Sequence, residues 1–378
     1  MLPAILSYFE GIPDPRIHRT RLHPLPSILG IALCAVLCGA DTWVEIEEYG
    51  KAKYEWLSQW LELPNGIPSH DTFARVFARL QPETLGTCLQ ALTAELARKL
   101  EKLIAIDGKY LRHSFDTPID KGPLVMLNAW ASHQHLVLAS VPVDTKTNEI
   151  KAIPELLALL DITGCIVTID AMGTQKAIAA QIVAQGGEYV LALKGNQESI
   201  HTDVKLFFEH AKAHRFEEVP YDYVVTTDYG HGRQETRRCW TVNLADLNGR
   251  WSDVQQVWTG LSSLICIEST RVLKETTSTE TRYYLSTLTG GASQALRSVR
   301  SHWGVENSVH YILDVAFNED ACRIRKDHSP VNFALLRHMA LNLLRQEKTC
   351  KNGIKVKRSK AGWDDAYLFK VLDSCSQF

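Results

Sequence analysis

The chain has 378 residues, 45% of them apolar and 22% charged, which suits a globular protein of two or three domains and excludes a disordered or fibrous one. A formal net charge of −2 excludes a uniformly polycationic binder, so attraction to nucleic acid must come from local patches. Nine cysteines, an odd number with no C-x-x-C pair, give no sign of a disulfide framework or zinc cluster and suit reduced thiols in the cytoplasm.

The first hundred residues read as helical. LPSILGIALCAVLCGA (25–40) follows Arg16, Arg19 and Arg21, as a signal peptide's core would, but it starts late, carries Pro26, Gly30 and Gly39, and is short for a bilayer. A buried helix is the expectation, and no membrane association. Trp43, Ile46, Tyr49 and then Tyr54, Leu57, Leu61 recur at helical spacing, and a further helix carries Phe73, Val76, Phe77 and Leu80. A helical module of this size (1–100) suits docking or DNA binding.

From residue 103 the pattern becomes strand-like, with runs at 103–107, 124–131 and 135–143. A helix is expected at 152–160, a strand ending at Asp170, a helix at 174–185 and a strand at 189–194. The fold class is therefore α/β, with a mixed sheet flanked by helices. Residues 196–290 read as a polar helix followed by antiparallel strands, a β-rich insertion. Helical spacing returns at 292–316 and 331–346, and a basic segment closes the chain (347–378). The expected division is 1–100, 101–195, 196–290, 291–346 and 347–378.

Two strands end in a carboxylate. LIAIDGKYLRHS runs into Asp107, and CIVTIDAMGTQK runs into Asp170. An aspartate at the end of a buried strand is costly unless something positive meets it. A third acid, Glu306, lies in RSHWGVENSVHYILDVAFNEDACRIR, where a continuous helix places His302, Glu306 and His310 on one face and lets Asp314 extend the stripe. Three carboxylates of this kind suit all-oxygen ligation of Mg²⁺, with Mn²⁺ as substitute. A pair of such ions serves phosphodiester chemistry, activating the attacking oxygen and stabilising the leaving one.

IDGK, TxDAMGxQ, LxLKGNQ, HGRxExR and HWxVENxxHxxLDVxFxED, with IPxHDTxARV near the front, resemble the DDE transposases of bacterial insertion sequences, and most of all their H-repeat-associated branch. The resemblance covers nearly the whole chain. It implies an RNase H-like catalytic domain interrupted by the β-rich insertion, with Asp107, Asp170 and Glu306 as the metal-binding catalytic triad. It also implies double-stranded DNA as substrate, cleaved and joined at element ends, and a homodimer on paired ends. One departure concerns the Tyr-Arg-Glu-Lys signature of the wider superfamily: Val299, His302 and Leu313 stand at its Tyr, Arg and Lys positions, so the distal lysine is absent or supplied elsewhere. A nuclease that never joins strands and an inactive DNA-binding relic are the alternatives.

Several residues are expected on DNA. Lys194 and Asn196 follow a strand directly, and His302 is placed to contact phosphate when protonated. His231, Arg233 and Arg237 lie at a turn of the insertion, where glycine permits close approach and arginine reads phosphate or guanine. Between 321 and 360 eleven Lys or Arg face two acids, a segregated basic surface that includes Arg323, Arg325, Lys355, Lys357 and Arg358.

Overall fold

The computed structural model describes residues 4–96, 103–115, 122–143, 149–230, 232–274 and 276–375. In chain order the front helices are α1 (Ser7–Glu10), α2 (Leu25–Leu37), α3 (Trp43–Ala52), α4 (Tyr54–Leu57), α5 (His70–Arg79) and α6 (Pro82–Leu96). Then come β1 (Leu103–Leu111), β2 (Leu124–Ala131), β3 (Leu136–Val143), α7 (Glu149–Ala158), β4 (Ile166–Ile169), α8 (Lys176–Ala184), β5 (Glu188–Leu193) and α9 (Glu198–Ala213). The strands β6 (Asp222–Gly230) and β7 (Arg233–Asn243), the helix α10 (Ser252–Val257), and β8 (Ser263–Leu273) and β9 (Thr276–Ser286) follow. The chain closes with α11 (Ala292–Val305), a π-helical turn (Glu306–His310), α12 (Tyr311–Phe317), α13 (Ser329–Gln346), α14 (Ile354–Trp363) and α15 (Asp365–Leu372).

Contacts divide the chain into two compact units. One gathers the front helices, the C-terminal half of β1 from Gly108, β2, β3 and the chain from Glu306 onward. The other holds β1 as far as Asp107 and the chain from Glu149 to Val305. Strand order is β3-β2-β1-β4-β5-β9-β8-β7-β6, so the α/β class with a mixed sheet is the observed one. β4 runs parallel to both β1 and β5, whereas β2–β3 and the pairs β5–β9, β9–β8, β8–β7 and β7–β6 are antiparallel.

In the first unit α2 is a buried helix, as its unbroken apolar run requires, and Ser27 Oγ satisfies itself on the Glu62 carbonyl at 2.8 Å. No described helix is long and apolar enough to cross a membrane. Thr42 and Glu45 close a capping box at the start of α3. At the centre lies α13, buried on every side. Its polar residues are tied to backbone: Asn332 donates to Phe77 and Leu80 carbonyls at 2.8 Å, and Asn342 both accepts from and donates to the Val137 backbone at 2.9 Å.

In the second unit β4, all buried, is the spine of the parallel part. From β6 to β9 four strands of nine to eleven residues form the antiparallel ribbon, and α11 packs on it through Ala292, Ala295, Leu296 and Val299 against Cys239, Ile265 and Tyr284. The helix expected over 292–316 is observed, unbroken from Ala292 to Phe317, but it contains a π turn over Glu306–His310, which adds a residue to the helical repeat between Glu306 and the His310–Asp314 pair. The basic C-terminus is also helical, and Asp364 caps α15 by accepting from the Tyr367 amide at 3.1 Å.

Candidate active site

The last residues that β1 and β4 pair are Ile106 and Ile169, and a carboxylate follows each, Asp107 and Asp170. The expected strand end at Asp107 is corrected: β1 continues to Leu111, so Asp107 stands mid-strand where the pairing with β4 stops, and Asp170 is the residue just past β4, which leaves the two acids next in register. Neither is fully buried, while the four residues before each of them are. One Asp170 oxygen, Oδ1, accepts from the amides of Met172 at 3.1 Å and Gly173 at 3.2 Å, which fixes the carboxylate against its own loop. Gly173 is required there, because a Cβ would lie 2.3 Å from Ile169 Cγ2 and 2.6 Å from Ile153 Cδ1.

That loop is sewn to the one after β5. Thr174 Oγ1 donates to the Ala192 carbonyl at 2.6 Å, Gln197 Nε2 to the Thr174 carbonyl at 3.0 Å, and Asn196 Nδ2 to the Ala171 carbonyl. Lys194 and Asn196 thus stand, exposed, on the Asp170 rim. Glu149, at the start of α7, feels the same charge: burial and then Asp170 push its carboxyl up. Nothing in its sequence setting singles it out.

His302 on α11 reaches Thr168 on β4, with Nδ1 3.1 Å from Thr168 Oγ1. This nitrogen is engaged inside the unit, and the ring is partly buried. The bond pins α11 two residues short of Asp170, and the residue after α11 is Glu306. Beside it Trp303 is half exposed, under the Arg282 guanidinium at 4.4 Å.

Glu306 is exposed at the start of the π turn, and buried His310 donates through Nδ1 to its Oε2 at 3.0 Å. The IDGK lysine also has its place: Lys109, 6% exposed, donates to Asp314 at 2.7 Å and lies 3.7 Å from Asp320, which Arg112 meets at 3.2 Å. Glu319 is buried with Arg337 at 3.8 Å, and burial pushes its carboxyl up. The acids of LDVxFxED, and Lys109 with them, are thus accounted for by ion pairing.

The proposed DNA contacts fare unevenly. Arg233, Arg323 and Lys355 are exposed, and His231 lies outside the described residues. Arg237 is neutralised by Asp228 at 2.6 Å and Glu235 at 2.8 Å. Arg325 donates to the His113 carbonyl at 2.9 Å and stacks on Phe115 at 4.6 Å. Lys357 and Arg358 are 6% and 4% exposed, which corrects their expected role on phosphate. Lys357 donates to the Leu344 and Glu347 carbonyls; Arg358 donates to Val36, Ala40 and Ala316 carbonyls, pairs with Asp41 at 3.0 Å and stacks on Phe317 at 4.2 Å.

The family profile described as DDE_Tnp_1-associated matches residues 6–93, and that of the Transposase DDE domain matches residues 98–343. The chain belongs to the DDE transposase family. It is 39% identical to the putative transposase YncI of Escherichia coli O157:H7 over 100% of this chain and 96% of the relative. It is 37% identical to the H repeat-associated putative transposase YhhI of Escherichia coli K12 over 98% of each. Among solved structures, a piggyBac transposase synaptic complex with hairpin DNA is similar with a TM-score of 0.42 and 12% identity, over 89% of this chain and 69% of that one. The resemblance seen in the motifs is the family found by comparison.

Proposed function

We propose that this DDE transposase family member cleaves DNA at insertion-sequence ends and joins the freed ends to target DNA, using Asp107, Asp170 and Glu306 to hold Mg²⁺. The observation that carries this reading is the register of β1 and β4, which brings Asp107 and Asp170 next to each other where the parallel pairing of the two strands stops. The His302–Thr168 bond supports it, because it anchors the helix whose next residue is Glu306. The donor set fits the ion: oxygen ligands from three carboxylates suit a hard divalent cation, and the exposed Glu306 leaves room for water and phosphate oxygens.

When bound, one or two such ions lower the pKa of water and stabilise charge on phosphate oxygens. The chain's own work is positioning. The Asp170 loop, fixed by the Met172 and Gly173 amides, holds one carboxylate, and His310 orients another. Lys194 and Asn196 face the phosphates next to Asp170, and Arg233, Arg323 and Lys355 extend the contact with duplex DNA. The helical front (1–100) and the β6–β7 turn read the ends, residues 101–195 and 291–346 form the catalytic domain around the 196–290 insertion, and residues 347–378 form the last segment. Two chains pair two ends, in the cytoplasm.

The test is a joining assay with pre-cut element ends and target plasmid in Mg²⁺. Strand-transfer products from the wild-type chain, and none from Asp170→Asn with duplex binding retained, are the expected result. Cleavage without joining would make the chain a nuclease, and binding without either reaction in Mg²⁺ or Mn²⁺ would make it a relic.

A further inference from the structure

Arg345, in the last turn of α13, is a buried cation with an unusual set of partners. Its Nη1 donates to the His135 carbonyl at 2.9 Å, its Nη2 donates to the Ser308 carbonyl, and its guanidinium lies 4.6 Å over the ring of buried Trp130. Among the described residues no carboxylate pairs with it. Burial pushes its pKa down to about 9. A guanidinium this enclosed is expensive to keep, and apolar replacements for buried charge are often at least as stable.

Ser308 is the middle residue of the π turn that begins with Glu306 and ends with His310. Where a helix passes from i→i+4 to i→i+5 bonding and back, carbonyls are left short of amide donors, and a buried one needs a substitute. Arg345 donates to the Ser308 carbonyl of this turn from outside the helix. The same fork ties the π turn to the β2–β3 turn, where His135 is held at φ 56°. The helix that carries Arg345 is itself fixed to β3 through Asn342 and Val137.

Resting on the catalytic reading above, we propose that Arg345 is a positioning residue, which holds the π turn so that Glu306 and its hydrogen-bonding partner His310 present one fixed carboxylate to the metal. A planar fork with two separated donors suits two carbonyls on different elements, whereas a lysine reaches one at a time. Neighbours that orient a metal ligand typically matter about 10- to 100-fold in affinity or rate when changed.

The experiment is a Mn²⁺ titration, read by electron paramagnetic resonance, of the full chain without DNA, for the wild type, Arg345→Lys, Arg345→Met, Glu306→Ala, the Glu306→Ala/Arg345→Lys double variant and Asp107→Asn. Thermal midpoints and amide hydrogen exchange over residues 305–313 are measured alongside. Arg345→Lys is expected to weaken Mn²⁺ binding about tenfold and to speed exchange in the π turn. It is expected to weaken binding no further once Glu306 is Ala. Unchanged Mn²⁺ affinity in a folded Arg345→Lys, beside weakened binding in Asp107→Asn, would overturn the positioning role alone. An additive loss in the double variant would do the same, since Arg345 would then act elsewhere than on Glu306. Undiminished binding in Asp107→Asn would instead overturn the catalytic reading.

Discussion

Asp107 and Asp170 were legible because each follows four buried apolar or small residues, where a carboxylate breaks the pattern, although β1 does not end there but runs on to Leu111. Glu149, Lys109 and Arg345 were not legible, since what makes them matter is a partner far away in sequence. Lys357 and Arg358 were misread for the same reason: a cation bonded to carbonyls has the same local sequence as a solvated one. Burial pushes the Glu347 carboxyl up, but bonds from Thr349, Tyr367 and the Cys350 amide outweigh it and hold it at about 2. An unfolded glutamate titrates near 4.5, so this stabilisation is complete above that pH and is lost as pH falls through 2. His338 is held neutral by burial, with its pKa down at about 3, so its contribution is complete above 6.5 and is lost as pH falls from there through 3. Thermal midpoints should therefore fall steadily below pH 6.5, and Glu347→Gln should be less stable at pH 7 with a shallower decline below pH 4.5. Gly173→Ala, which forces a Cβ onto Ile169, should cost about 1–3 kcal/mol in urea unfolding, and with it the Asp170 loop geometry.

Among the elements, the helical front, the three-strand start and the β-α-β alternation followed from hydrophobic period, because each buries one face against a single layer. The π turn did not follow. Its Ser308 carbonyl accepts from Arg345, a partner far off in sequence, and no period in ENSVH announces it. Nor did α14, whose charge run looked wholly solvated while two of its cations are inside. That difference divides the basic segment in two. Changing Lys348, Lys351 and Lys355, all exposed, to Gln should flatten the slope of log affinity against log salt by about 2 to 3, on specific and random duplexes alike. Changing Arg358 to Ala should instead destabilise the fold by roughly 3–5 kcal/mol, because Asp41 and three carbonyls lose their donor. An unchanged salt slope in the triple variant would leave α14 and its approach as structural supports without DNA contact.

For the molecule as a whole, a net charge of −2 hides the excess of cations between 321 and 360, and such segregation is what a DNA-handling protein of ordinary composition needs. Coordinated joining requires two ends in one assembly, so the complex on paired ends should contain two chains, and a mass measurement giving one chain per pair would contradict the dimer. Metal-dependent phosphodiester cleavage is assigned to the carboxylates that follow the paired stretch of β1 and β4. It is tested most directly by cleavage of a plasmid carrying the element's own ends, in Mg²⁺, Mn²⁺ and chelator, with the wild type beside Asp107→Asn and Asp170→Asn. Cuts at the ends are expected from the wild type in either metal, none in chelator, and none from either variant while both remain folded and bind the ends; full cleavage by either variant would overturn the assignment.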